Sequence, residues 1–180
     1  MADVEERDQS FGSVPRAVIG AVAANRFMPP RQTSDLDFAV SDRDEAEAVA
    51  ALEAAGWRRV RPLVLRPPLG GSAWRAADGA PVDVLTVPGV WGRELVGTAM
   101  ANREGGPPFA TLPHLVLLKM IAGRIVDGGD LARMLGHQDA LTQEAVRMVA
   151  RRVLGPEELA DLERLIELGR LEYGVRPEEA

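Results

Sequence analysis

The sequence predicts an α/β (α+β) chain: a mixed sheet of four or five strands flanked by helices, followed by a C-terminal helical bundle. Three observations predict it. The short apolar runs 36–40 and 81–87 read as strands, each with an acid set into it, Asp37 and Asp83. Between them, residues 42–55 carry Ala46, Val49, Leu52 and Ala55 at helical spacing. From Thr111 onward the patterning is helical throughout.

Residues 1–13 read as a flexible terminus, and 14–27, with the small-residue run Val18-Ile19-Gly20-Ala21-Val22-Ala23-Ala24, as a short helix. Met28-Pro29-Pro30-Arg31 breaks it. After the strand 36–40, Ser41 caps the helix 42–55 with Asp44 three residues on, and Gly56 ends it. Residues 57–65 and 72–77 are the next strands, separated by the turn Pro67-Pro68-Leu69-Gly70-Gly71. Asp78-Gly79 is a hairpin signal leading into the strand 81–87. An apolar helix begins at Thr111 or Pro113 and runs to about Ile125. Asp127-Gly128-Gly129-Asp130 reads as a loop into a helix at 131–135. Two amphipathic helices follow at 142–154 and 156–173, with Pro156 suited to the first helical position. The expected domain plan is a sheet domain over 14–110 and a helical region over 111–180 packed with it as one unit.

With 180 residues, 46% of them hydrophobic, the chain can bury a core of its own. A net charge of −6, from 21 Lys and Arg against 27 Asp and Glu, argues against indiscriminate coating of nucleic acid. A local basic groove stays open. The absence of cysteine excludes disulfides, zinc knuckles and thiol catalysis. Only His114 and His137 are present, so a His-rich metal site is excluded. The longest nearly apolar stretch, 112–123, is interrupted by His114 and Lys119 and is shorter than the ~20 residues that span a bilayer. The acidic start, Ala2 to Asp8, is unlike a signal peptide, and a soluble, cytoplasmic protein with no membrane partner is expected.

The segment Arg31-Gln32-Thr33-Ser34-Asp35-Leu36-Asp37-Phe38-Ala39-Val40 carries the chemistry. On a strand, alternate side chains share a face, which puts Asp35 and Asp37 on one side, about 7 Å apart. Leu36 and Phe38 then face the core. Ionised carboxylates side by side repel, and a hard divalent cation such as Mg²⁺ resolves the repulsion through oxygen ligation. With Asp83 as a third acid, the pattern suits metal-dependent phosphoryl or nucleotidyl transfer.

Gly20-Ala21, Arg31-x-Thr33-x-Asp35-Leu36-Asp37-Phe38 and Val82-Asp83-Val84-Leu85, in this order, resemble the minimal nucleotidyltransferases of the polymerase-β superfamily. Within that superfamily the likeness is to the AbiEii-like group, found as toxins of toxin–antitoxin pairs. Leu118-Lys119-Met120-x-Ala122-Gly123-Arg124-x-x-Asp127-x-x-Asp130-Leu131 extends the resemblance, which covers roughly residues 15–135. It implies a nucleotidyltransferase-type sheet and an enzyme that moves an NMP from an NTP such as ATP to an acceptor hydroxyl. The acceptor would be a tRNA 3′ end, a protein or a small molecule, and an antitoxin protein would be a partner. One or two Mg²⁺ ions would be held by Asp35, Asp37 and Asp83, the catalytic acids. Gly20 and Ala21 would begin a phosphate-binding turn. Arg31 and Thr33 would contribute to nucleotide binding. Lys119 would reach the triphosphate, with Asp127 or Asp130 orienting Lys119, Arg124 or the base.

The group's Gly-Ser or Gly-Gly is Gly20-Ala21 here, which removes a hydroxyl, and Pro29-Pro30 occupies the connection to Asp35. Two alternatives stay open beside transfer to RNA or protein. One is a degenerate module that binds a nucleotide or a protein without turnover; the other is an aminoglycoside-type nucleotidyltransferase. Arg58, Arg59, Arg61, Arg66 and Arg75 form a local basic cluster, as do Arg147, Arg151 and Arg152, which could serve as an RNA track. Gly70-Gly71-Ser72 has no following Lys and reads as a turn. Trp57, Trp74 and Trp91 read as core or rim aromatics.

Overall fold

The protein is described here by a computed structural model, which covers residues 2–33 and 35–174. These fall into two compact units, one of residues 2–23 with 32–33 and 35–111, the other of residues 24–31 with 112–174.

The first unit is built on one mixed five-stranded sheet. Its strands are β1 (Ala17–Ile19), β2 (Leu36–Ser41), β3 (Arg58–Pro62), β4 (Gly70–Arg75) and β5 (Pro81–Val87), in the spatial order β1-β2-β5-β4-β3. Only β2 and β5 are parallel neighbours; the other pairings are antiparallel. The helix between β2 and β3, α3 (Glu45–Ala54), supplies Ala48 and Leu52 to a core shared with Leu36, Phe38, Val40, Val82, Val84 and Trp74. The alternation of Leu36, Phe38 and Val40 therefore faces this core, and the residues between them face away.

Several elements differ from the expected ones. The start of the chain is not loose: α1 (Ala2–Gln9) buries Val4 and is followed by a fully buried Phe11. The Phe11 ring lies 4.8 Å from that of Phe38 and 6.2 Å from that of Trp57. Arg16 Nε donates to Asp8 Oδ1 at 2.7 Å, a buried pair that fastens α1 to the sheet edge. In place of one helix over 14–27 there are β1 and a short α2 (Gly20–Ala24). Every residue of β1 is buried, so no polar–apolar alternation marked it as a strand. Ser41 ends β2, and its hydroxyl donates at 2.7 Å to Asp44, which stands at the N-cap of α3. The strand expected at 57–65 is shorter, and β4 takes in Gly70 and Gly71, which had the composition of a turn. A Cβ at Gly71 would overlap the backbone of β5, so glycine there permits close strand approach.

Like α1, the helix after β5 had not been expected. α4 (Gly89–Ala101) packs on β1, β2 and β5 through Leu95, Val96 and Ala99. Its three glycines, Gly89, Gly92 and Gly97, hide it from propensity reasoning. A Cβ at Gly92 would overlap the Val87 carbonyl, so helix and strand touch backbone to backbone there.

The second unit is helical. α5 (Leu112–Ala122), α6 (Ile125–Gly136), α7 (Ala140–Ala150) and α8 (Pro156–Tyr173) enclose Val116, Leu131, Met134, Leu135, Val146, Leu162 and Ile166. α8 has the predicted span. α6 begins six residues before the expected helix, so Asp127-Gly128-Gly129-Asp130 forms helical turns and not a loop. α6 and α8 meet at Gly136 and Gly169, where an added Cβ on either would strike the other's backbone. No described helix is long and apolar enough to cross a membrane.

Candidate functional site

The parallel pairing of β2 with β5 sets Asp37 directly beside Asp83. In-register neighbours on adjacent strands share a face, here the one opposite the Phe38 core. Across the sheet the row reads Ile19, Asp37, Asp83, Ala73, Arg61. Both acids are half-buried. Like charges set side by side on neighbouring strands oppose folding, and the arrangement does not serve stability.

Gly20 completes this corner. It follows Ile19, the β1 partner of Asp37, and has φ +67°, a conformation that side-chain-bearing residues rarely adopt. The Asp37 carboxylate fills the space a side chain would need: a Cβ at Gly20 would lie 2.9 Å from Asp37 Cγ and overlap Oδ2. Ala21 follows within α2, half-buried. Gly20→Ala is expected to cost about 3 kcal/mol, from the left-handed backbone and from overpacking against Asp37. A urea titration checks this: the midpoint should fall with the slope unchanged.

Asp35 lies outside the strand. β2 begins at Leu36, and Asp35 is exposed, its backbone N–H donating to Thr33 Oγ1 at 3.3 Å. The expectation that Asp35 and Asp37 project together from one strand is therefore corrected. Among the described residues no group of three or more His, Asp or Glu side chains is gathered closely enough to hold a metal ion. The donor chemistry of Asp37 and Asp83 fits a hard divalent cation, which takes carboxylate oxygens; the third acid is not drawn in.

The second unit holds its own charged cluster. Lys119, buried on α5, donates from Nζ to Asp127 Oδ1 and to Asp130 Oδ2, each at 2.8 Å. The two acids stand three residues apart on α6, which places both on the side facing Lys119. Arg124 Nε donates to Asp127 Oδ2 at 3.0 Å, and the same oxygen accepts from the Arg124 backbone N–H at 3.3 Å, closing the first turn of α6. Arg31 Nη2 donates to Asp130 Oδ2 at 3.1 Å. The Asn25 side chain clasps Arg31, with Nδ2 donating to the Arg31 carbonyl and Oδ1 accepting from its N–H. Three cations thus surround two carboxylates. The resemblance had implied that Asp127 or Asp130 orients Lys119, Arg124 or the base; the Arg31–Asp130 contact, 99 residues apart, had no local signal.

Burial pushes the Asp127 carboxyl up, but hydrogen bonds and charge from Arg124 and Lys119 outweigh it and hold the group below the usual carboxylate range. Asp130 is likewise raised by burial and lowered, on balance, by Lys119 and Arg31. Folded-state values below the unfolded ~3.9 mean that this stabilisation is complete above that value and is lost as pH falls through the depressed values. Carbon-13 titration of the two side chains should give midpoints below the ordinary value. Urea midpoints should hold steady from neutral pH down to about 4 as far as this cluster is concerned, then fall.

No protein-family model matches the chain. No curated protein matches it either, so the resemblance to the AbiEii-like group rests on the residues quoted for it. Two solved structures are similar in overall course. One is the antibiotic-resistance factor ANT(2″)-Ia in solution, with 16% identity and a TM-score of 0.47, covering 96% of this chain and 90% of that one. The other is crystalline ANT(2″)-Ia in complex with adenylyl-2″-tobramycin, with 16% identity and a TM-score of 0.49, covering 97% of this chain and 100% of that one. At that distance the likeness says nothing about side-chain chemistry.

Proposed function

We propose that the chain is a Mg²⁺-dependent nucleotidyltransferase that moves an NMP from an NTP to an acceptor hydroxyl and releases pyrophosphate. The observation that carries this reading is the Asp37–Asp83 pair, side by side on neighbouring strands with Gly20 stripped of a side chain beneath Asp37. Asp37 and Asp83 would hold the cation, and Asp35 would serve as the third acid only once the adjoining loop closed on the ion. When bound, such an ion neutralises charge on the transferring phosphoryl group. The chain's own part is to fix the two carboxylates through strand register and, at Gly20, to leave the space that the Asp37 carboxylate occupies. Asp83, in its ionised form, would accept the proton of the attacking hydroxyl. Lys119, Arg124 and Arg31, with Asp127 and Asp130, would give the second unit a positively biased cluster of its own, suited to phosphate; Thr33 would steady the loop that carries Asp35.

The test is incubation of the purified chain with Mg²⁺, each α-labelled NTP in turn, and total tRNA, cell protein or an aminoglycoside. Label on any acceptor that needs both Mg²⁺ and Asp83 supports the reading and names nucleotide and acceptor. A folded chain that labels nothing but binds NTP would turn it toward a binding module. If the acceptor is an essential RNA, expression should arrest growth, as the toxin half of a toxin–antitoxin pair does; unimpaired growth would remove that part.

A further inference from the structure

We infer that the outer ribbon of the sheet, β3 with β4, is a docking ledge for the phosphodiester backbone of an RNA strand, the acceptor of the transfer. The inference rests on the reading of Asp37 and Asp83 given above. Register places three arginines on the same face as those acids. Ala73 pairs with Asp83, so Ala73 and Arg75, two residues apart on β4, share that face. Arg58 pairs with Arg75 and Arg61 with Ala73, a bulge at Val60 keeping both on the same side. Arg61 thus stands two strands from Asp83 in the same row, about 10 Å away at the usual strand spacing.

These charges are not used by the fold. Arg58, Arg61 and Arg75 are exposed, and among the described residues none has a carboxylate partner. Arg61 and Arg75 donate only to the neutral carbonyls of Pro62 and Gly79. Arg58 directly opposite Arg75 is a like-charged cross-strand pair, which weakens the ribbon it belongs to. In a chain of net charge −6 this is a local reversal of sign. Guanidinium groups match phosphate by paired donors, so the ledge suits a polyanion and repels a polycation such as an aminoglycoside. Trp57 and Trp74, the aromatics nearest the ribbon, are buried in the core, which leaves no stacking platform there. Binding is therefore to backbone phosphates, tolerant of base sequence and steeply dependent on salt.

The test is fluorescence anisotropy of a labelled oligouridylate with the full chain over a range of KCl concentrations. Three phosphate contacts predict a slope of log K against log salt of about −2. The triple variant R58Q/R61Q/R75Q should lose most of that slope, while Arg164→Gln, on exposed α8, should keep it. An unchanged slope in the triple variant, no binding by the natural chain at low salt, or equally tight binding of oligoaspartate would each overturn the ledge. The measurement needs no turnover. Intact RNA binding with no label transfer would strike the transfer reading and leave the ledge; label transfer to RNA unaffected by the triple variant would strike the ledge alone.

Discussion

Asp83→Asn is expected to lower nucleotidyl transfer about a thousandfold while the fold survives, a loss of about 4 kcal/mol in transition-state stabilisation. Asn keeps the size and the strand position and removes the charge and the proton-accepting oxygen. Asp83 stands beside Asp37 in the β2–β5 ladder, so removing one of two adjacent like charges should not harm stability and should raise the unfolding midpoint slightly. That pairing of outcomes, activity down and stability level or up, distinguishes a functional acid from a structural one. Initial rates of label transfer and a urea titration on the same preparation give both. Asp37→Asn should behave alike in activity. An Asp83→Asn chain that transfers at more than about a tenth of the natural rate would remove this acid from the chemistry.

Lys119→Met is expected to destabilise the helical unit by about 3–5 kcal/mol, the usual cost of deleting one partner of a buried ionic cluster. Met matches the length of the lysine stem, so packing is largely kept and the effect is electrostatic. Asp127 and Asp130 would remain buried, with Arg124 and Arg31 left to balance them from more exposed positions. Calorimetry should record a fall of about 10 °C in Tm. Arg124→Gln offers the contrast: its side chain is 68% exposed, and its loss should cost less than about 1 kcal/mol. Replacing all three buried members, K119M/D127L/D130L, should recover most of the loss, because a buried ionic cluster and an apolar one of similar volume are often close in free energy. If Lys119→Met melted with the natural chain, the cluster would be no support for the second unit.

How much of this was legible before the structure depends on how local each cause is. β2, β5, the body of α3 and the whole of α8 follow from patterning inside their own segments: alternation around Phe38, helical spacing of Val49 and Leu52, and Pro156 at the first turn of α8. Asp37 and Asp83 stand out for the same reason, as acids set into apolar strands. The early chain did not declare itself. α1 has a polar surface and only a few inward residues, and it is held by Phe11 against Phe38 and by Arg16 on Asp8, contacts that local propensity does not contain. α4 was hidden by its glycines, one of which, Gly92, its backbone contact with Val87 requires.

The sequence by itself determined an α/β chain with acids in two of its strands, an acidic overall charge that leaves two arginine-rich segments, and a lysine set into an apolar helix ahead of two acids. Tertiary structure alone decided what those residues meet. Strand order put β5 beside β2, and register set Asp83 at Asp37 and Arg61 in their row; a shift of one residue would send the acids into the core face. Chain crossing brought the Asp37 carboxylate over Gly20, and brought Arg31 to Asp130 across 99 residues. Side-chain type and spacing are local properties and can be read along the chain, whereas charge compensation and close approach depend on which distant segments are packed together.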